Sequence, residues 1–245
     1  MVDVEITGNI LPDPTETGVL PAVQAAGGGL CMVDGTLEWT GGTVWGNTAQ
    51  LGGGIALYAG TVTMDQVAIA ANTASYGGAM WIGSPTLDAS QVRSWCNTAT
   101  SEGGSFYLAL WNSDALFTYL DLALNSSPVG AEVSGVDGSL ASLEGAAASG
   151  NSANALFDTA GVFRVDTSAV ANAGGEVFGS GTVSGSSVVL SDPLFSSVTC
   201  NDVVTDDDFT LQATSPAIDA GPSADLDVDG SRADAGANGG PGGAW

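Results

Sequence analysis

Histidine and lysine are absent from the 245 residues, and the cationic side chains are limited to Arg93, Arg164 and Arg232. Without histidine there is no Ser-His or Cys-His nucleophile pair. Zinc and copper also lose their commonest ligand. Without lysine there is no phosphate loop of the usual kind. Three cations face 27 acidic residues, and the net charge of −24 argues against nucleic acid or an anionic membrane surface as partner. It favours solubility, cation binding and repulsion between copies. No apolar run reaches the length of a membrane span, so direct membrane insertion is not expected. The opening "MVDVEITGNI" lacks a charged-then-apolar signal pattern; either a signal has been removed or the chain is a fragment. Cysteine is scarce: Cys31, Cys96 and Cys200 show no metal-ligand spacing. One disulfide plus one free thiol fits that number, but the sequence does not assign the pair.

What is abundant is glycine, at 36 residues, and it recurs at fixed places. "GNTAQLGGGI" is followed by "ANTASYGGAM" and then by "CNTATSEGGS". Asn47, Asn72 and Asn97 stand 25 residues apart, as do Thr48, Thr73 and Thr98, and Ala49, Ala74 and Ala99. Gly27, Gly52 and Gly77 keep the step, with Gly28, Gly53 and Gly78 beside them. Within each block the apolar residues alternate: Leu37 and Trp39, then Val62 and Met64, then Leu87. A period of two in short runs broken by Gly, Asn, Ser or Pro marks strands. Short strands without a helical stretch, repeated at this interval, predict an all-β fold: a right-handed parallel β-helix, or β-solenoid, of about seven coils.

Stacked coils lie roughly 4.8 Å apart, so residues one period apart sit above one another. Asn47, Asn72 and Asn97 are therefore expected to form a structural ladder, each amide bonding the next. Asparagine also tolerates the left-handed backbone of a corner, and the Gly-Gly pair turns the chain where a Cβ would clash. The pattern continues more loosely through Gly103-Gly104, Asn125, Asn151 and Asn172 to a last coil opened by Gly174-Gly175. Upstream, "ITGN" matches "VWGN", so residues 2–9 read as the last strand of a coil whose open end needs a cover. The expected organisation is coils over 1–195, with a loop inserted at 10–26, and a C-terminal closing segment over 196–245.

The pairing of Gly-Gly-(Gly/Ala)-aliphatic with (Val/Ile)-x-x-Asn resembles the repeats of polymorphic outer membrane proteins over about residues 27–125. Those repeats favour Phe where this chain has Val44 and Ile69, and Ser94 departs further. The tail, with "SDPLF", "DFTLQATSPAIDAG" and "DVDGSRADAGA", is similar to the end of secreted bacterial β-helix proteins, including those with a choice-of-anchor Q domain. Asp234-Ala235-Gly236-Ala237 stands near the Asp-Ile-Gly-Ala of that group. The resemblance implies an exported, surface-displayed bacterial protein. It implies no reaction, since such solenoids include adhesins, fibres and polysaccharide-active enzymes.

Four constellations remain. Glu38, Asp65 and Asp88 fall on outward positions of one sheet, with Asp65 and Asp88 about 8 Å apart on the diagonal. That spacing suits the paired carboxylates of an inverting glycosidase, or a calcium-dependent lyase with Arg93 as base; the plainer reading is a solvated acidic face. Trp45, Arg93 and Trp95 are candidates for stacking on and orienting a glycan; the plainer reading is that a loop or the tail covers them. "DLDVDGS" matches the first half of a calcium loop, with Asp225, Asp227, Asp229 and Ser231 as candidate ligands. Gly236 stands where a bidentate Glu belongs, so Asp234 or Asp219 would have to help; otherwise the stretch is an acidic turn. "TDDDF" reads as a solvated turn before a strand. The expected function is a non-catalytic surface solenoid, an adhesin or fibre, with a glycan or surface protein as partner and self-association through the solenoid ends. The alternative is a polysaccharide lyase or hydrolase on the acidic face.

Overall fold

The computed structural model describes residues 1–11, 25–109, 114–136, 139–150, 152–180, 182–201, 203, 205–241 and 243. Most of the loop expected at 10–26, and Asn151, lie outside them. The chain folds as a parallel β-solenoid whose coils repeat about every 25 residues, and among the described residues there is no α-helix. Each coil runs first along a bent sheet, then a short side, then a third sheet. Thr36–Trp45, Thr61–Asp65 with Ala68–Ala70, Thr86–Trp95 and Asp114–Ala123 pair in parallel along the bent sheet. Leu30–Met32, Ile55–Leu57, Met80–Ile82 and Phe106–Leu108 stack as the opposite sheet.

The register is the one the repeat predicts: Leu37 faces Val62 and Val62 faces Leu87, while Trp39 faces Met64 and Met64 faces Ala89. Alternate residues point inward and fill a continuous column, so the core is built from stacked layers. Val2–Thr7 pairs with the strand ending at Trp45, setting Ile6 against Val44 as "ITGN" over "VWGN" requires.

The asparagine ladder is present and longer than three rungs. Asn9 donates its side-chain amide to Asn47, Asn47 to Asn72, Asn72 to Asn97 and Asn97 to Asn125, at 2.9–3.0 Å. Each Asn Oδ1 also takes the backbone N–H of the Asn one coil before it. Asn47, Asn72 and Asn97 are fully buried. The corner's left-handed residue, however, is the one before each asparagine: Ala71 at φ 52°, Cys96 at 55° and Leu124 at 56°. The asparagine thus serves the corner by hydrogen bonding, not by backbone tolerance. At the opposite corner Gly52 has φ 59°. A Cβ on the neighbouring Gly53 would lie 2.5 Å from the Gly78 carbonyl, so this pair permits the close stacking.

The stack amounts to about five turns instead of seven. Past Ser184 the coil is reduced to isolated bridges, such as Ala169 with Val189, and residues 184–187 are exposed. Apolar alternation weakens there, so little inward surface remains to bury. The C-terminal segment runs along the flank of the coils. Cys200 is disulfide-bonded to Cys96, Gly239 accepts from Gln91, and Gly236 donates to Gly145. Ala217 and Ala235 pack on Ala169. The flank accepts it because its outward positions are small: Ala68, Ala70, Ala123, Ala147 and Ala169 are all buried.

Candidate functional site

The acidic strand face has the expected register. Glu38, Thr63 and Asp88 share one column; Thr40, Asp65 and Ser90 share the next. Glu38 and Asp88 are exposed and Asp65 is half-buried. Arg93 does not join them. Gln91, at φ 51°, turns the strand, and Arg93 continues on the adjoining face between Ala68 and Asp121. The sequence grouping of Arg93 with these carboxylates fails because a left-handed corner separates them.

Arg93 instead lies where the tail docks on the flank. Its Nε is 3.5 Å from Asp121, a loose ion pair whose side chains are 14% and 2% exposed. It also donates to Asn238 and sits over the Phe209 ring, 5.5 Å from the centroid. Asp121 accepts the Ala237 N–H at 3.0 Å. Burial pushes the Asp121 carboxyl up and the Arg93 guanidinium down; their mutual attraction opposes both shifts. The guanidinium holds its proton, and the two side chains bind tail to coil through Asn238 and Ala237.

The aromatic candidates are covered unequally. Trp95 is buried, donates to Asp207 at 2.7 Å and meets Phe209 edge-on. Trp45 stays half-buried in the same column and donates to Glu5. The tail therefore covers Trp95 and most of Arg93, so the trio is no open sugar platform.

The acidic turn is a hydrogen-bonded clasp. Asp225 accepts from the Tyr119 hydroxyl at 2.6 Å. Asp227 accepts the N–H groups of Asp234 and Gly240. Asp229 accepts from Ser231, and Asp234 takes the Asp219 N–H. These separate partners do not fit one shared ion. Among the described residues no group of three or more His, Cys, Asp or Glu is placed to hold a metal.

Between tail and flank lies a cleft of about 540 Å³ lined by Arg93, Asn238, Asp208, Asp234, Leu211 and Ile218, among others. Sequence reasoning missed this place, including Asp121 and Phe209. One signal was available: Asp121 stands one coil beyond Arg93 in an otherwise alanine-rich outward column. Glu132 was missed too. Its column reads Gly29, Gly54, Ala79, Ser105 before it, so a carboxyl there enters the core. It accepts the last amide of the described ladder, from Asn125.

Compared with protein-family models, with curated proteins and with solved structures, the chain matches none.

The bond between Cys96 and Cys200 closes 104 residues and leaves Cys31 as a free, exposed thiol. Replacing both bonded cysteines with alanine is expected to cost about 2–4 kcal/mol. Hydrogen exchange should then show the loss concentrated in residues 195–211 while the coils keep their protection. Equal loss of protection in the coils would show that the bond holds the solenoid itself.

Proposed function

We propose that the chain is a non-catalytic β-solenoid of an extracellular or bacterial cell-surface protein, an adhesin or structural element that binds a glycan or a surface protein along its sides. The observation that carries this reading is that Arg93, the base a lyase would need, is kept apart from the acidic face. Glu38 and Asp88 stand exposed on an open strand face, and Arg93 is engaged beneath the tail. A catalytic pair needs its groups held within reach of one bond. The disulfide supports an oxidising, exported setting. The net charge of −24 supports a soluble, solvated surface. The repeat and tail motifs support kinship with bacterial surface solenoids. Self-association through the ends belongs to the same proposal: Val2–Thr7 is an edge strand of its sheet.

One observation favours the alternative. Asp65 and Asp88 do stand on adjacent strands, two residues apart in register. Incubation with neutral and acidic polysaccharides separates the readings. The expected result is retention of one glycan or surface protein on the immobilised chain with no scission. New reducing or unsaturated ends, lost in Asp65→Asn and Asp88→Asn, would overturn the proposal in favour of a glycosidase or lyase. Electron microscopy of concentrated protein tests the ends; uniformly monomeric particles would remove the fibre.

A further inference from the structure

The cleft between tail and flank has an uneven charge. Its guanidinium, Arg93, is drawn inward to Asp121 and Asn238, so its charge is matched beneath the floor. Asp208 and Asp234 line the cleft; Arg93 attracts Asp208 less than Thr210 does, and Asp234 faces other carboxylates. Asp208 accepts from Thr210 with one oxygen, which holds its carboxyl below the usual range. Burial, and then the neighbouring Asp227 and Asp219 carboxylates, push the half-covered Asp234 carboxyl up. The nearby Arg232 gives no relief, since it donates to the carbonyls of Gly221 and Ala220. Leu211 and Ile218 add apolar surface to the same lining, and Ile218 is 39% exposed.

We propose that this cleft receives a basic side chain, the lysine or arginine of a partner peptide or protein, with its aliphatic stem on Leu211 and Ile218 and its charge facing Asp208 and Asp234. A long cationic side chain suits such a lining because its stem is apolar and its head is not. A bare divalent ion would use the carboxylates but gain nothing from the apolar surface. A polyanion would meet an acidic rim on an acidic protein. The volume lies within the range of small-ligand sites, about 300–1,000 Å³. The assignment goes beyond the proposed surface role and does not depend on it, since neither the acidic strand face nor Trp45 contributes.

Titration calorimetry at about 0.15 M salt tests it, where diffuse attraction is screened. The probes are a capped hexapeptide alternating Lys and Leu, its Gln-for-Lys and Glu-for-Lys versions, and a neutral oligosaccharide. The lysine peptide is expected to bind and the others not. Asp208→Asn with Asp234→Asn should weaken binding about tenfold or more; both retain an acceptor oxygen for their structural bonds. Ile218→Ser, at an exposed position, should weaken it separately. Asp34→Asn with Glu176→Gln removes the same charge elsewhere and should change binding less than about twofold. Equal weakening by both pairs would reduce the effect to general attraction and overturn the site. So would preference for the oligosaccharide, or no binding of the lysine peptide.

Discussion

Asn72→Ala is expected to lower unfolding stability by about 4–5 kcal/mol, against about 1 kcal/mol or less for Asn9→Ala. The difference follows from position in one ladder. Asn72 Oδ1 accepts both the backbone N–H and the side-chain amide of Asn47. Its own amide donates to the Val44 carbonyl and to Asn97. Alanine leaves the buried Asn47 N–H and the buried Val44 carbonyl without these bonds, and each orphaned group costs about 1–3 kcal/mol. The space vacated is polar, narrow and between rungs held at strand spacing, so the coils cannot close over it. Asn9 is exposed and is bonded to only one ladder neighbour, Asn47. Removing it takes one donor from Asn47 Oδ1, which keeps the Asn9 backbone N–H. Equilibrium denaturation of both variants checks the claim. Equal losses would mean that the ladder follows from the stacking and does not stabilise it.

Glu132 gives the second large effect, and it depends on pH. The carboxyl is fully buried, and burial pushes it up to about 8 from an ordinary value of 4.5; the amide and N–H of Asn125 pull it back only in part. The folded state thus favours the protonated acid. Its stabilising contribution is complete below pH 4.5, falls as pH rises from there to about 8, and is gone above. The full swing is about 5 kcal/mol at most, from 1.36 kcal/mol per pKa unit. Glu132→Gln keeps an acceptor for Asn125 and removes the proton. Variant and parent should therefore have similar stability at pH 4–5, and the variant should gain several kcal/mol over the parent by pH 9. Comparing the two at each pH cancels the self-repulsion of the other acids. A constant difference across that range would show that Glu132 is ionised in the fold and compensated by another group.

The same residue shows where reading a repeat stops. Its column holds Gly, Gly, Ala and Ser before it, so the break is visible in the sequence. Its consequence depends on the neighbours. Ser94 stands where Val44 and Ile69 stood, and its hydroxyl meets that of Ser105 at 2.6 Å. A polar seam with Asn97, Asn125 and Glu132 replaces part of an apolar column. The departure from the repeat at Ser94 is one half of a pair whose other half, Ser105, lies in the opposite column.

The alternating apolar residues and the 25-residue step by themselves determined a parallel solenoid, its register and the asparagine ladder. They could do so because each rung repeats the previous one, so neighbours in space are found by counting along the chain. Only the tertiary structure decided the corner geometry, which places the left-handed residue one position before each asparagine, and the docking of the tail. Arg93 with Asn238, Trp95 with Asp207 and Cys96 with Cys200 are separated by 145, 112 and 104 residues. No period links them. They meet because a flank of small side chains, buried on both faces, leaves room for a segment that follows no repeat.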